Sequence, residues 1–131
     1  YLDMAEKIYN FIFNNPNLPE DLVPYWDFDA PNIPNEPRDV SAAACTASAL
    51  YELSTYIPGK NYKETADKIM ENLASPAYRA EVGTNGNFIL MHSVGSIPHG
   101  AEIDVPLNYA DYYFLEGIMR KRDLESNKKL F

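Results

Sequence analysis

The stretch from Val40 to about Tyr56 sets the tightest limit on the fold. Ala42, Ala43, Ala44, Cys45, Ala47, Ala49, Leu50 and Leu53 follow one another with no charged residue before Glu52, so a helix here has no polar stripe for solvent and must be covered on nearly all sides. A second stretch, about Asn108 to Arg122, makes the same demand with larger side chains. Tyr109, Tyr112, Tyr113, Phe114, Leu115, Ile118 and Met119 ring most of its surface, and charge gathers at its far end.

Two further stretches are amphipathic and suit the outside of such a structure. Leu2 to Phe13 carries Ala5, Ile8, Tyr9 and Ile12 at helical spacing and is stopped by Asn14, Asn15 and Pro16. Tyr62 to Leu73 sets Tyr62, Ala66, Ile69, Met70 and Leu73 on one face and Lys63, Asp67, Lys68 and Glu71 on the other. Asn61 and Glu64 stand where a capping-box-like pair would satisfy the free amides at its start. The two amphipathic stretches also repeat a pattern: Tyr1, Ala5, Lys7 and Ile8 recur as Tyr62, Ala66, Lys68 and Ile69, 61 positions on. Each copy precedes a helix that needs burial, so the unit is an outer–inner helical hairpin. That spacing far exceeds the roughly 34 and 33 residues of tetratricopeptide and ankyrin repeats. Two hairpins cannot cover their own inner helices, and about three or more such units are needed for a closed core. The reading is therefore all-α: two hairpins of a larger ring, with long loops and room for one short strand pair, Asn87 to His92 being the candidate strand.

Charge and composition exclude several partners. The net charge of −8 argues against a nucleic-acid backbone, which needs clustered Lys and Arg, and Arg120 to Arg122 reads as cationic residues complementing a helix C-terminus. No apolar run approaches the roughly 20 residues of a membrane span, so no membrane is expected as a partner. One cysteine and two histidines give no zinc spacing, and no metal is expected. Cys45, within the alanine run, reads as a buried inert thiol. A lone thiol fits cytoplasm and periplasm alike.

The long loops carry the chemistry. Only Ile57 to Lys60 separates the second and third helices, whereas Asn14 to Asp39 and Ser75 to Leu107 precede the two buried ones. Alternation of long and short places both long loops on one rim, at the N-termini of the inner helices. Six of the ten prolines fall between Asn14 and Arg38, which lowers the entropy lost in ordering that loop. Its Tyr25, Trp26, Asp27, Phe28 and Asp29 either stack and hydrogen-bond a sugar ring or seal the hairpin while the carboxylates hold local amides. Asp39 is a sugar ligand or the cap of the second helix. Arg38 is its salt-bridge neighbour or a binder of an acidic substrate. In the second loop, Gly95, Pro98 and Gly100 turn the chain sharply and bring His92 and His99 to the rim, as ligands for sugar or acid groups or as solvated surface. The pairs Glu102 with Asp104 and Asp27 with Asp29 suggest acid and base, but spacing in sequence does not fix the carboxyl separation that sorts glycosidase mechanisms.

Taken in order, Val-Pro-Tyr-Trp-Asp-Phe-Asp-Ala-Pro at 23–31, Arg-Asp-Val-Ser-Ala-Ala-Ala at 38–44, His-Ser-Val-Gly at 92–95 and Glu-Ile-Asp-Val-Pro-Leu-Asn-Tyr-Ala-Asp-Tyr-Tyr-Phe-Leu-Glu at 102–116 strongly resemble the C-terminal part of glycoside hydrolase family 88, the unsaturated glucuronyl hydrolases. The resemblance implies a six-hairpin (α/α)6 toroid, of which residues 1–131 form about one third. It implies an enzyme that removes a 4,5-unsaturated uronic acid from the non-reducing end of lyase-generated oligosaccharides by hydrating a vinyl ether, with neither metal nor organic cofactor. The family's catalytic aspartates match no position here. Asp27, Asp39, Glu102 and Asp104 thus receive no catalytic role, and the segment alone is expected to be inactive. The segment from His92 through Ser93 and Gly95 to His99 resembles the loop facing the leaving sugar, and Tyr25, Trp26, Arg38 and Asp39 are lesser rim candidates. The implied partners are an unsaturated uronic-acid oligosaccharide and the rest of the toroid, or another chain covering the inner helices.

Other readings remain in play at this level. The unsaturated rhamnogalacturonyl hydrolases share the architecture with fewer of these strings, another (α/α)6 sugar enzyme would share the fold alone, and a self-sufficient helical-repeat module would bind a peptide instead.

Overall fold

The computed structural model describes residues 1–126. Four helices form its framework: α1 (Leu2–Phe13), α2 (Val40–Tyr56), α3 (Tyr62–Leu73) and α4 (Asn108–Glu125). Between α3 and α4 lie two strands, β1 (Ser93–Ser96) and β2 (Ala101–Val105), paired antiparallel around a single 3-10 turn at Ile97–His99.

Side-chain pairs fix how the helices run. Tyr51 Oη donates to Asp67 at 2.8 Å, joining α2 to α3 across their short connection in an antiparallel hairpin. Ser48 donates to Glu116 and Arg120 pairs with Glu52, both with a sequence offset of 68. A constant offset means that α2 and α4 are parallel. On the outer side, Tyr62 Oη donates to Glu6 at 2.9 Å, and the Tyr9 ring meets Tyr62 edge-on at 4.8 Å. The two copies of the repeat are therefore neighbouring outer helices. The cations at the end of α4 have specific partners besides the helix dipole: Arg120 holds Glu52, and Lys121 reaches Asp67 at 2.9 Å.

The core forms where α2, α3 and α4 meet. Ala43, Ala44, Ala47, Leu50 and Tyr51 of α2 share one buried cluster with Ala66, Ile69 and Leu73 of α3 and Ala110 and Phe114 of α4. Each fully buried Ile or Leu contributes about 1.5–3 kcal/mol. Small residues let the helices approach closely, and a Cβ on Gly117 would lie 3.1 Å from the Met70 thioether.

Three expectations need correction. Asn61 makes no side-chain cap bond, so the capping box is absent; instead Thr65 donates its amide (3.0 Å) and hydroxyl (2.7 Å) to the Asn61 carbonyl. Residues 87–92 do not form the strand. The Ile89 and Leu90 amides bond to the Asp111 carboxylate at 2.8 and 2.9 Å, while Arg79 and Leu90 share an isolated bridge, so the ladder lies further on. Cys45 is exposed within this chain. With Ala49 and Leu53 it lines an apolar groove of about 440 Å³ whose other wall is Ala5, Ile8 and Ile12 of α1.

The demand for cover is thus met on only one side of each inner helix. Helix α1 buries no residue, leaving Phe11 64% exposed, and on α4 Tyr112, Leu115, Ile118 and Met119 are all open, Met119 by 54%. Contiguous apolar surface of this kind marks an interface. No helix among the described residues is long and apolar enough to cross a membrane.

Candidate functional site

Because α2 and α4 run parallel, their N-termini open on the same end, and the two long loops meet there. The Asp39 amide donates to the Pro24 carbonyl (2.8 Å) in the first loop, the Val40 amide donates to the His92 carbonyl (3.1 Å) in the second, and the Val94 amide lies 3.4 Å from Asp39 Oδ1. Asp39 Oδ1 also accepts from the Ser41 amide (3.0 Å) and hydroxyl (2.6 Å). Asp39 is therefore the helix cap, and it fastens both loops to the inner helix.

The hairpin β1–β2 rises from this fastening. Ser93 faces Val105, Val94 faces Ile103 and Ser96 faces Ala101, with an irregularity between Ser93 and Val94. Ser93 is fully buried, and its Oγ has no partner among the described residues. His92 Nδ1 lies 2.6 Å from Asp104 Oδ1, and its ring stands edge-on to Tyr78 at 6.4 Å. His99 is in the turn at the tip, its Nδ1 2.6 Å from Ser96 Oγ. The Glu102 carboxylate lies over Gly95 so closely that a Cβ there would be 2.0 Å from Oε2 and 2.7 Å from Glu102 Cβ. His92, Glu102 and Asp104 all have positive φ, of 65, 54 and 55°. Each such residue costs on the order of 1 kcal/mol, and strain of this sort gathers where a site holds side chains in place.

Tyr109, in the first turn of α4, was not evident as a site residue because its ring reads as core packing. It is 42% exposed at the rim. Partial burial and the nearby Asp39 and Glu102 carboxylates push its hydroxyl pKa up, against a hydrogen bond with Ser41. Its place one turn from the rim loop was the available signal.

The first loop is organised by Asp21. This carboxylate accepts from the Tyr78 hydroxyl at 2.6 Å and the Val23 amide at 3.1 Å, and it pairs with Arg38. Arg38 also donates Nε to the Val23 carbonyl (2.9 Å) and lies over the Tyr25 ring at 5.1 Å. Of the two roles open to Arg38 the structure uses the ion pair, though with Asp21 as the partner. Trp26 Nε1 donates to Glu36 at 2.8 Å, and this bond holds the Glu36 carboxyl below its usual range. Asp27 accepts from the Asp29 amide at 2.8 Å, so it serves the loop's own backbone. Tyr25, Trp26, Asp27, Phe28 and Asp39 line one cavity of about 180 Å³ beside α2. The candidates thus fall into two groups joined through Asp39: the aromatic cavity with Tyr25 and Trp26, and the hairpin with His92, Ser93, Gly95 and His99. Among the described residues no three His, Cys, Asp or Glu side chains converge as metal ligands.

Outer and inner helices in alternation, inner helices parallel, and both long loops on the end where those helices begin define an arc of an (α/α)6 toroid. No protein-family model matches the sequence, but the chain is 49% identical over 124 residues, 95% of its length, to an unsaturated glucuronyl hydrolase of Formosa agariphila. Along nearly its whole length the chain is similar to the unsaturated glucuronyl hydrolases of glycoside hydrolase family 88. It is also 31% identical over 116 residues to an unsaturated chondroitin disaccharide hydrolase of Streptococcus agalactiae. Among solved structures it is similar to an unsaturated glucuronyl hydrolase specific for heparin, with a TM-score of 0.92 and 48% identity over 95% of this chain and 34% of that one. It is likewise similar to the Bacillus sp. strain GL1 enzyme, with a TM-score of 0.81 and 26% identity over 91% of this chain and 32% of that one. The chain spans about a third of the length of the curated relatives it matches: 31% of the Formosa protein and 28% of the streptococcal one.

Proposed function

We propose that residues 1–131, of which 127–131 lie outside the described part, form the C-terminal third of a single (α/α)6 toroid. The remainder of that toroid covers the open faces of α1, α2 and α4. The complete protein removes a 4,5-unsaturated uronic acid from the non-reducing end of glycosaminoglycan oligosaccharides. The observation that carries this reading is the match over 95% of the chain at 49% identity, which leaves little of the rim outside it.

In this reading water adds across the vinyl ether, an aspartate contributed by the rest of the toroid transfers the proton, and the resulting hemiketal opens to release the leaving sugar. The present residues bind and orient. His92, Gly95 and His99 face the leaving sugar, and buried Ser93 anchors the hairpin that carries them. Tyr25 and Trp26 offer ring faces, while Arg38 and Asp39 act mainly by ordering the rim. The 48% identity to a heparin-specific enzyme, against 31% to a chondroitin disaccharide hydrolase, supports a heparin-derived substrate.

The test is to incubate the complete protein with unsaturated disaccharides from heparin and from chondroitin and to follow the ultraviolet absorbance of the double bond. Loss of absorbance on the unsaturated substrates, faster for the heparin series, with saturated disaccharides left intact, is the expected result. Cleavage of saturated disaccharides, or no loss of absorbance on any unsaturated uronide, overturns the reading. Faster loss on the chondroitin series overturns the substrate choice alone.

A further inference from the structure

His92 and Asp104 stand opposite each other across the base of the hairpin. Asp104 Oδ1 is 2.6 Å from His92 Nδ1. An ionised carboxylate only accepts hydrogen bonds, so the imidazole must carry its proton on Nδ1. In the neutral form of the ring Nε2 is then the lone-pair nitrogen, and no hydrogen bond to it is made by the described residues. The side chain as a whole is 43% exposed. Everything else about His92 is fixed. Its carbonyl accepts the Val40 amide at the start of α2, its ring is edge-on to Tyr78, and its backbone is held at φ 65°. Asp104, the residue left unpaired where the ladder slips between Ser93 and Val94, has φ 55°. Two non-glycine residues in the left-handed region, with a short bond between their side chains, form an arrangement that serves the orientation of one ring.

We propose that Asp104 is the positioning residue that fixes the tautomer and direction of His92, so that Nε2 accepts a hydrogen bond from a hydroxyl of the leaving sugar. This rests on the reading of the hairpin as the leaving-sugar surface. Asp104 touches no reacting atom and acts only through His92. The charge of Asp104 is a second consequence. A carboxylate 2.6 Å behind the imidazole strengthens Nε2 of the neutral ring as an acceptor, and a lone-pair acceptor takes a hydroxyl rather than a sulfate or carboxylate of the substrate.

The test is a double-mutant cycle in the complete protein, with Asp104→Ala, His92→Ala and both together, read as kcat/KM on the unsaturated disaccharide that the wild type turns over best. Asp104→Ala is expected to lower kcat/KM about tenfold, mainly through KM, and the double variant to be no worse than His92→Ala, because groups in one hydrogen-bond pair do not add. Asp104→Asn, whose amide oxygen still accepts from Nδ1–H, is expected to recover most of the loss. Losses that multiply in the double variant, or an Asp104→Ala variant as active as wild type, overturn the proposal. A second readout is independent of turnover. In protein labelled with 15N-histidine, His92, assigned by its disappearance in His92→Ala, is expected to show an Nδ1–H, lone-pair Nε2 pattern that reverts to the ordinary mixture in Asp104→Ala. A tautomer unchanged by Asp104→Ala overturns the proposal even if the complete protein proves to act on some other substrate. Absence of turnover with the expected tautomer refutes the functional reading instead.

Discussion

Replacing Gly95 by alanine isolates a single contact. The backbone of Gly95 is not in the left-handed region, so alanine meets no conformational objection there; the obstacle is Glu102, whose Oε2, Cβ and Cδ would lie 2.0, 2.7 and 3.0 Å from the new methyl. Rotation can move the carboxylate away but not Glu102 Cβ, which is one bond from the β2 backbone, so the strands must part by several tenths of an ångström. Overpacking of this kind costs about 1–3 kcal/mol. Glu102→Gly removes all three offending atoms. It also relieves the φ of 54°, worth about 1 kcal/mol, and offsets this by freeing the unfolded chain by about 0.4–1 kcal/mol, so alone it is expected to be near neutral. In the Glu102→Gly background Gly95→Ala is expected to cost less than about 0.5 kcal/mol, a coupling of about 1 kcal/mol or more. Amide hydrogen exchange of residues 93–105 in the complete protein reads this locally, because about 1.4 kcal/mol is a tenfold change in opening. Unaltered exchange in Gly95→Ala, or a cost that persists once Glu102→Gly has removed the side chain, would refute the packing argument.

Asp21→Ala removes the acceptor of Tyr78, Val23 and Arg38 together; a loss of about 3 kcal/mol is expected by chemical denaturation, with both rim loops losing exchange protection, and a loss confined to the first loop would contradict its role as a hub. Asp67 is penalised by burial, but hydrogen bonds from Lys63, Lys121 and Tyr51 outweigh that and hold its pKa below the usual 3.8. A depressed carboxylate adds stability that is present above the unfolded pKa and lost as pH falls through the folded one. Acid titration of stability should therefore be shallower in Asp67→Asn than in wild type, and parallel curves would contradict the network.

Much of the fold was legible because burial leaves a period in the sequence. The alanine run of α2 and the spacing of Ala66, Ile69 and Leu73 in α3 gave helix bounds that the structure reproduces, and the pair of long loops placed the rim. The family strings added what period cannot: the ring, and the substrate class and hairpin role proposed above. What was not legible depends on contacts between distant residues. Phe88 to Met91 is apolar enough for a strand, yet its amides are taken by Asp111, while the actual strands contain Glu102 and Asp104 at positive φ, which no propensity favours. Cys45 reads as core because its neighbours are alanines, and whether anything covers it depends on residues outside this chain. Arg38 could not be assigned from sequence, since its partner Asp21 lies across a loop of prolines.

The apolar helix faces that this chain leaves open are proposed to be covered by the rest of the toroid. Sedimentation velocity of the 131-residue chain alone, over a dilution series with a dye that reports exposed apolar surface, tests this most directly. Self-association that tracks concentration, with strong dye binding at every dilution, is the expected result. A compact monomer that excludes the dye and unfolds in one sharp transition would contradict it.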